Sequence, residues 1–323
     1  MKIREIPDVG EIARLHAAEE LAGAFRVPID LYHGGPGIGS SDLRQILRSP
    51  RHYLQAKDEA SKRRAQSEPG PDAEAQEAAE SAKDAVKAGR SQILGSAVHA
   101  AILEPEKFDD MFWVRPTDIN RRTKVGKAEW ASLVERNRGK TEIDQKTLNE
   151  ALAIAESVTK HSVASKYLAD LHDAEVSFYV KDDVVKDVLR KVRPDILTAE
   201  NVILDLKTTR DARAEDFVRS VVRYGYDVQA AYYVDTLSLC EVEPSDFIFL
   251  VVETSPPYEV AMYRPNHEFF DRGRRLYREA MVTFDICQKT NRWSGYPTEI
   301  KTLAAPKWLA SGFGEIEQED DEW

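Results

Sequence analysis

Two charged motifs constrain this 323-residue chain most strongly: Arg193-Pro194-Asp195 and, ten positions after its aspartate, Asp205-Leu206-Lys207. Apolar runs precede both motifs, at 188–192 and at 201–204, and the segment 198–201 has the composition of a turn. Short apolar runs separated by turn residues predict a β-hairpin. Such a hairpin would bring two carboxylates and an ammonium group together.

The second motif predicts a chemically useful strand end. Side chains alternate between the faces of a strand, so Ile203, Asp205 and Lys207 share one face while Leu204 and Leu206 enter a core. An acid and a lysine so placed suit metal-assisted phosphodiester hydrolysis, in which carboxylates hold Mg²⁺ and the lysine orients water or screens developing charge. Solvated strand-end charges produce the same pattern, so the rest of the chain must decide.

Composition indicates a soluble globular protein, with 42% hydrophobic and 31% charged residues. No apolar run reaches membrane-spanning length, and the N-terminus is too charged for a signal peptide, so no membrane association is expected. The two cysteines, Cys240 and Cys287, are too few for a disulfide framework, a four-cysteine zinc site or an iron–sulfur cluster. These features predict a cytoplasmic location.

The net charge of −11 argues against a protein that coats nucleic acid without sequence preference. It leaves open an enzyme that meets DNA in a confined channel, because basic residues cluster at 121–127, 136–140 and 210–223. Each cluster alone is equally consistent with a solvated helix face. Negative charge gathers at 68–80 and in the tail 315–323, which is either a docking peptide or a disordered, solubilising end.

The pattern of elements predicts an α/β (α+β) fold, a central mixed β-sheet flanked by helices. Residues 1–37 are predicted to be a helical N-terminal extension, with a helix from Ile12 to Phe25. Residues 38–290 form the main domain, with a polar insertion at about 57–90, and 291–323 form a C-terminal segment with the acidic tail. The predicted strands are 174–181, 188–197, 201–207, 247–252 and 259–263.

Several further side chains suit the same chemistry. His99 lies in the small-residue helix 91–103 and can complete a metal site, although a lone histidine is more often a core residue. Gln229 and Tyr233 are four apart and share a helix face, which packing alone would also explain. Thr208 can contact phosphate. Glu175 opens a strand and is either near the metal site or an edge charge.

These motifs together resemble a known family. Gly95–Ala100, Arg193-Pro194-Asp195, Asp205–Thr209 and Gln229-x-x-x-Tyr233 occur in the order seen in the PD-(D/E)XK nucleases. The segment 225–233, with Leu103–Phe108 and the leading helix after Ser40, is similar to the nuclease domain of RecE (exonuclease VIII) and its phage relatives. The resemblance covers roughly residues 38–290 and implies a restriction-endonuclease-like core.

The resemblance implies roles for individual residues. His99, Asp195 and Asp205 would be metal ligands, with the Leu206 carbonyl as a further oxygen, and Lys207 would be the catalytic lysine. Gln229 and Tyr233 would support the site. Mg²⁺ would be the cofactor, and Mn²⁺ could substitute for it. Candidates for binding DNA or its 5′-phosphate lie in the leading helix, where solvation explains them equally well: Arg44, Arg48 and Arg51.

The resemblance also implies an activity: 5′→3′ exonuclease action on linear double-stranded DNA, leaving 3′ single strands for recombination. It implies a homo-oligomeric ring around the duplex and a RecT-like single-strand annealing protein as partner. Two alternatives remain open: a single-strand or structure-specific endonuclease of the same fold, and a catalytically inactive DNA-binding recombination scaffold. The scaffold is disfavoured because the lysine and both motif acids are present.

Overall fold

The computed structural model describes residues 2–17, 19–66 and 81–304. The first half contains β1 (Ile3–Glu5), α1 (Val9–Ala17), β2 (Gly23–Arg26), α2 (Ile29–Gly34), α3 (Ser40–Arg48), α4 (Pro50–Gln66), α5 (Ser81–Leu103), a 3-10 turn (Pro105–Lys107), α6 (Phe108–Met111), β3 (Phe112–Val114), α7 (Lys124–Arg136), β4 (Thr141–Ile143) and α8 (Gln145–Lys160). The second half contains α9 (Ala164–Ala169), β5 (Leu171–Ala174), β6 (Ser177–Lys181), β7 (Leu189–Val192), β8 (Ile196–Thr198), β9 (Val202–Thr209), α10 (Ala214–Tyr224), α11 (Tyr226–Leu239), β10 (Asp246–Glu253), β11 (Val260–Tyr263) and α12 (His267–Thr290).

A five-stranded mixed sheet, in the order β11-β10-β9-β8-β5, forms the centre of the fold. Strands β9 and β10 run parallel, joined through α10 and α11, and the remaining pairs are antiparallel. A parallel pair needs such a helical crossover, whereas β8 and β9 are joined by a short turn. The predicted mixed sheet flanked by helices is confirmed.

Helices cover both faces of this sheet. Leu204 and Leu206 of β9 belong to one apolar cluster with residues of α5 and α8, and Ile203 belongs to the opposite cluster with residues of α10, α11 and α12. The predicted alternation along β9 is therefore correct. Because the strand is covered on both faces, Asp205 and Lys207 point towards a protein layer and not into open solvent.

The N-terminal residues form part of a second, four-stranded sheet, in the order β1-β2-β6-β7. The helix predicted from Ile12 to Phe25 is wrong in its second half, since α1 ends at Ala17. Phe25 lies in β2, fully buried, with its ring 5.8 Å from the ring of Tyr179. Pairing with β6 thus overrides the local helical pattern.

The chain passes between the two sheets twice, and each crossing interrupts a strand predicted as continuous. The run 174–181 divides into β5 and β6 at Glu175, whose φ of +55° lies in the left-handed region. The run 188–197 divides into β7 and β8 around Pro194, which has no N–H for a strand ladder. The crossings are adjacent, because the Glu175 amide donates to the Asp195 carbonyl at 3.2 Å.

Two other regions of the sequence prediction can be placed. The predicted insertion at 57–90 comprises the end of α4 and the beginning of α5, and its residues 67–80 lie outside the described residues, as does the acidic tail. The division at 37 and 290 remains a prediction. Across residues 2–17, 19–66 and 81–304, we find no helix with both the length and the apolar character of a membrane span.

Candidate active site

The paired charges of β9 lie against helix α11. Lys207 forms an ion pair with Asp205 Oδ2, and the Gln229 amide donates to Asp205 Oδ1 at 2.8 Å. The Asp205 side chain is 0% exposed and that of Lys207 is 13% exposed. The predicted association of Gln229 with the hairpin is observed. Lys207 is therefore held by a carboxylate that is itself fixed from the opposite side.

His99 and Asp195 meet the strand from the α5 side. His99 Nε2 is 3.1 Å from the Leu206 carbonyl oxygen, and its Nδ1 is 3.8 Å from Asp195 Oδ1. Asp195 Oδ2 accepts a hydrogen bond of 2.7 Å from the Leu206 amide. The backbone of one residue, Leu206, thus orients both side chains, which explains why the two motifs must be paired in this register.

Glu175 completes a group of possible metal ligands. In the part of the chain that the structure describes, one trio has its ligand atoms within 4.8 Å of one another: His99, Glu175 and Asp195. Asp205 is not in this trio, and Lys207 and Gln229 engage its two oxygens. The ligand role predicted for Asp205 stays a prediction, whereas the weaker candidate Glu175 lies among the possible ligands.

The acids of the site carry a strong electrostatic penalty. Burial raises the pKa of Glu175 to about 8, and the nearby Asp195 carboxylate adds to this shift. Burial likewise raises the pKa of Asp205 to about 6, although Lys207 opposes the effect. For Lys207, burial favours the neutral amine, but the Asp205 and Asp195 carboxylates outweigh it and raise the pKa. The lysine is therefore a cation at neutral pH, beside acids that lack sufficient neutralising charge.

A tyrosine missed by the sequence analysis supports the lysine. The Lys207 ammonium lies 4.8 Å from the centre of the Tyr226 ring, a cation–π contact. Tyr226 is three residues before Gln229 on α11, so the i, i+3 rule could have identified it. The predicted Tyr233 is buried one turn further on, and its hydroxyl hydrogen-bonds with Gln229 and Ser40. Tyr233 therefore links α11 to α3.

Thr208 and the three predicted arginines occupy different places. A Cβ built on Gly95 would be 3.6 Å from Thr208 Oγ1, so this hydroxyl faces the His99 helix. Arg44 donates to the Tyr224 carbonyl at 2.9 Å, next to the Tyr226 end of the site. Two arginines instead contact residues 294–296: Arg48 and Arg51.

The residues present fit a divalent cation. The trio provides one imidazole and two carboxylates, and the Leu206 carbonyl lies within hydrogen-bond distance of the same imidazole. Hard cations prefer such oxygen ligands, and Mn²⁺ accepts an added imidazole readily. Burial and the nearby Asp195 carboxylate both raise the pKa of Glu175, and a bound cation would favour the ionised form instead.

The two sheets joined by chain crossings, the paired motifs and the lysine define a class of protein: the PD-(D/E)XK superfamily. The family described as "PDDEXK-like domain of unknown function (DUF3799)" matches residues 40–306. The chain therefore belongs to that family, and the predicted resemblance to the PD-(D/E)XK superfamily is confirmed. None of the curated proteins matches the chain.

One solved structure supports this fold. The crystal structure of a protein named "Putative exonuclease" from Eubacterium rectale is similar over 90% of this chain and 99% of its own, with 12% identity and a TM-score of 0.53. A "phage related exonuclease" from Haemophilus somnus 129PT covers 53% of this chain and 85% of its own, with 14% identity and a TM-score of 0.27. At these identities the first likeness supports the fold.

Proposed function

We propose that this protein is a divalent-metal-dependent DNA exonuclease that hydrolyses phosphodiester bonds from the ends of linear duplexes, with 5′→3′ polarity. One observation carries the proposal: the trio His99, Glu175 and Asp195 lies beside a buried Asp205–Lys207 pair. A structural charge cluster gains nothing from leaving its acids short of cations. A cation-dependent hydrolase needs that arrangement.

The side chains have distinct tasks in this reaction. Lys207 provides a fixed positive charge for the attacking water or the phosphate oxygens, and Asp205 with Tyr226 holds the ammonium in place. Gln229 fixes Asp205, and the Leu206 amide fixes Asp195. Each group is held by its neighbours before substrate arrives, so little reorganisation is needed during reaction.

The trio would hold Mg²⁺, or Mn²⁺ in its place. When bound, such an ion supplies a water of lowered pKa and compensates the charge of the scissile phosphate. His99 would contribute a ring nitrogen; its Nδ1 lies 3.8 Å from Asp195 Oδ1 and its Nε2 lies 3.1 Å from the Leu206 carbonyl oxygen. Glu175 and Asp195 contribute as carboxylates, which requires Glu175 to lose the proton that its raised pKa favours.

The decisive test is digestion of a linear duplex with different labels at its two 5′ ends, only one of which is phosphorylated. We expect cleavage in Mg²⁺ and none in EDTA. The label at the phosphorylated 5′ end should be released first, and the strand whose 3′ end lies at that end of the duplex should survive. A supercoiled circle in the same tube tests for endonuclease activity. Lys207→Ala, purified in parallel, controls for contaminating nucleases. Nicking of the circle would favour the endonuclease, and no cleavage with either metal would favour the scaffold.

The proposal extends to assembly and partners. A homo-oligomeric ring in the cytoplasm, acting with a RecT-like single-strand annealing protein, follows from the resemblance to RecE-type nucleases. A ring would also reconcile DNA binding with a net charge of −11, since basic patches would line a channel while acidic surfaces face solvent. Light scattering on the purified protein tests the ring, and a monomer at all concentrations would contradict it.

A further inference from the structure

A small unit between α5 and α8 carries charges that the active site does not use. It comprises strands β3 and β4, which pair in parallel, and helix α7 between them. From Trp113 to Lys140 the sequence has eight basic and three acidic side chains, in a protein whose net charge is −11. This local excess of positive charge is opposite in sign to the whole molecule.

The basic residues of this unit differ in their partners. Those near its end are engaged: Lys140 donates to the Asp109 carbonyl at 2.6 Å, and Arg138 is 3.6 Å from Glu135. At the start of α7 are three exposed cations that form no ion pair with any residue the structure describes: Arg122, Lys124 and Lys127. We call these three residues the α7 basic surface. Its charge is available to a partner.

The backbone fixes this surface in shape. A Cβ at Gly126 would lie 2.1 Å from the Asn120 carbonyl oxygen, so only glycine lets the preceding turn fold against α7. Thr123 Oγ1 accepts from the Gly126 amide at 3.0 Å, and Asn120 Oδ1 accepts from the Arg122 amide at 3.0 Å. The turn therefore fixes the backbone from which Arg122, Lys124 and Lys127 extend.

The aromatic residues of the unit narrow the choice of partner. The centre of the Trp130 ring is 5.7 Å from that of the Trp113 ring. The Arg121 guanidinium lies 4.4 Å from the centre of the Trp130 ring. Trp113 and Arg121 both contact the half-buried Trp130 indole, so this ring is already engaged within the unit. The exposed ammonium and guanidinium groups of the unit suit the phosphate backbone of DNA, contacted without regard to sequence.

The unit is connected to the helix that carries His99. Lys140 bonds to Asp109 at the start of α6, and α6 directly follows the turn Pro105–Lys107. His99 lies in α5, which ends at Leu103, so the turn directly follows the helix that carries His99.

We propose that the α7 basic surface binds the phosphates of duplex DNA away from the scissile bond, holding the substrate during exonuclease action. This inference rests on the proposed function for its substrate, but it concerns residues that take no part in hydrolysis. It assigns to the cluster at 121–127 a specific task, where the sequence alone allowed a solvated helix face.

The test compares wild type with a triple variant, Arg122→Ala, Lys124→Ala and Lys127→Ala, by measuring the Kd for a linear duplex in EDTA over a range of salt concentrations. Each lost phosphate contact reduces the slope of log Kd against log salt by about 0.9, so a reduction of about 2 to 3 is expected. The matched control removes three exposed cations elsewhere in the same way: Lys166→Ala, Lys186→Ala and Arg275→Ala. The control should leave the slope unchanged.

Cleavage separates the two proposals. The triple variant should degrade long duplexes less processively, while a single turnover at saturating DNA and low salt remains close to wild type. The proposal for the α7 basic surface would be overturned if wild type and the triple variant had equal salt slopes. It would also be overturned if the control variant lost as much of the slope as the triple variant. A wild type that binds DNA through this surface but never cleaves would overturn the proposed exonuclease and leave the surface intact.

Discussion

Two of the buried charge centres in the described residues invite comparison, one where β7 meets α11 and α12 and one at the sheet crossings. In the first, Arg190 and Asp182 form an ion pair with both side chains 0% exposed, and Arg278 pairs with Asp183 at 2.7 Å. Two cations thus face two acids. In the second, Lys207 faces Asp205, but Asp195 and Glu175 crowd beside them, and Arg193 approaches Glu175 only to 3.9 Å.

The difference lies in charge balance. Arg193 gives little to the second centre, because it donates to Ser177 Oγ at 2.9 Å and its guanidinium lies 4.6 Å from the centre of the Tyr32 ring. In the first centre the acids and cations pair with one another, so this centre serves the fold. In the second, burial raises the pKa of Glu175 to about 8 and the nearby Asp195 carboxylate adds to this shift, so this centre is suited to recruit a cation. The burial of charged side chains alone does not distinguish a functional centre from a structural one, but an imbalance between buried acids and cations does.

The largest expected effect is on cleavage by Lys207→Ala. Removing the fixed cation should lower the single-turnover rate by about 10³-fold, while the Kd for DNA changes little, because the lysine acts mainly in the transition state. Lys191→Ala is the matched control, since Lys191 is also buried but donates to the carbonyls of Tyr32 and Gly35. That variant should lose stability and keep its rate per folded molecule. Equal loss of binding and rate at Lys207 would contradict its assignment.

The two buried aspartates provide a direct comparison by the same substitution. Asp182→Asn should lower the free energy of unfolding by about 3 kcal/mol, because it leaves Arg190 without a buried counterion. Asp205→Asn removes a charge whose burial is unfavourable, so stability should change by less than about 1 kcal/mol while cleavage is lost. Urea denaturation and single-turnover assays on both variants measure this. The same stability loss in both would remove the distinction between the centres.

The unbalanced centre should also make stability depend on pH in EDTA. The folded protein raises the pKa of Glu175 from 4.5 to about 8, so folding favours the protonated acid. This stabilisation is complete below about pH 4.5 and is lost as the pH rises towards 8. With the side chain 25% exposed, the loss should be on the order of 1–3 kcal/mol.

Glu175→Gln should flatten the dependence of stability on pH. Ca²⁺, which the trio would bind, should raise the Tm of wild type at pH 8 but not that of the variant. Thermal unfolding at several pH values measures both effects. A wild-type profile that matches Glu175→Gln, with no response to Ca²⁺, would show that Glu175 is not in a cation site.

Much of the central fold follows from the sequence because β9 is long, apolar and alternating. The β8–β9 hairpin and the helices after it could be predicted from runs and turn residues. The crossings at Glu175 and Pro194 could not, because each run reads as one strand and only pairing with partners distant in sequence divides it. The misplaced helix at Phe25 has the same cause, since its strand depends on β6.

The sequence predicted the motifs of the candidate site but not which of their residues group together as possible metal ligands. Spacing brought Asp195, Asp205 and Lys207 together correctly. It could not show that Glu175 joins His99 and Asp195, because that depends on the left-handed turn at Glu175 and on the crossing beside it. The sequence also could not assign a role to the segment 121–127, because that assignment depends on which of its cations form ion pairs in the fold.

The smallest effect concerns the aromatic rings beside each cation. Arg190 lies 5.4 and 5.3 Å from the ring centres of Tyr232 and Tyr277, and Lys207 lies 4.8 Å from that of Tyr226. Tyr226→Leu should slow cleavage about 3- to 10-fold, since a partly buried cation–π contact contributes about 0.5–1 kcal/mol or somewhat more. Tyr226→Phe keeps the ring and should retain most of the rate.

A merely structural role for Tyr226 would change stability without changing the pH–rate profile. The cation–π role predicts that the pKa governing loss of activity at high pH falls in Tyr226→Leu and stays near wild type in Tyr226→Phe, because the ring favours the charged form of Lys207. Around Arg190, where the cation is already balanced by acids, Tyr277→Leu should lower the free energy of unfolding and leave that pKa unchanged. A shift in both tyrosine-to-leucine variants would mean that the two centres are not independent.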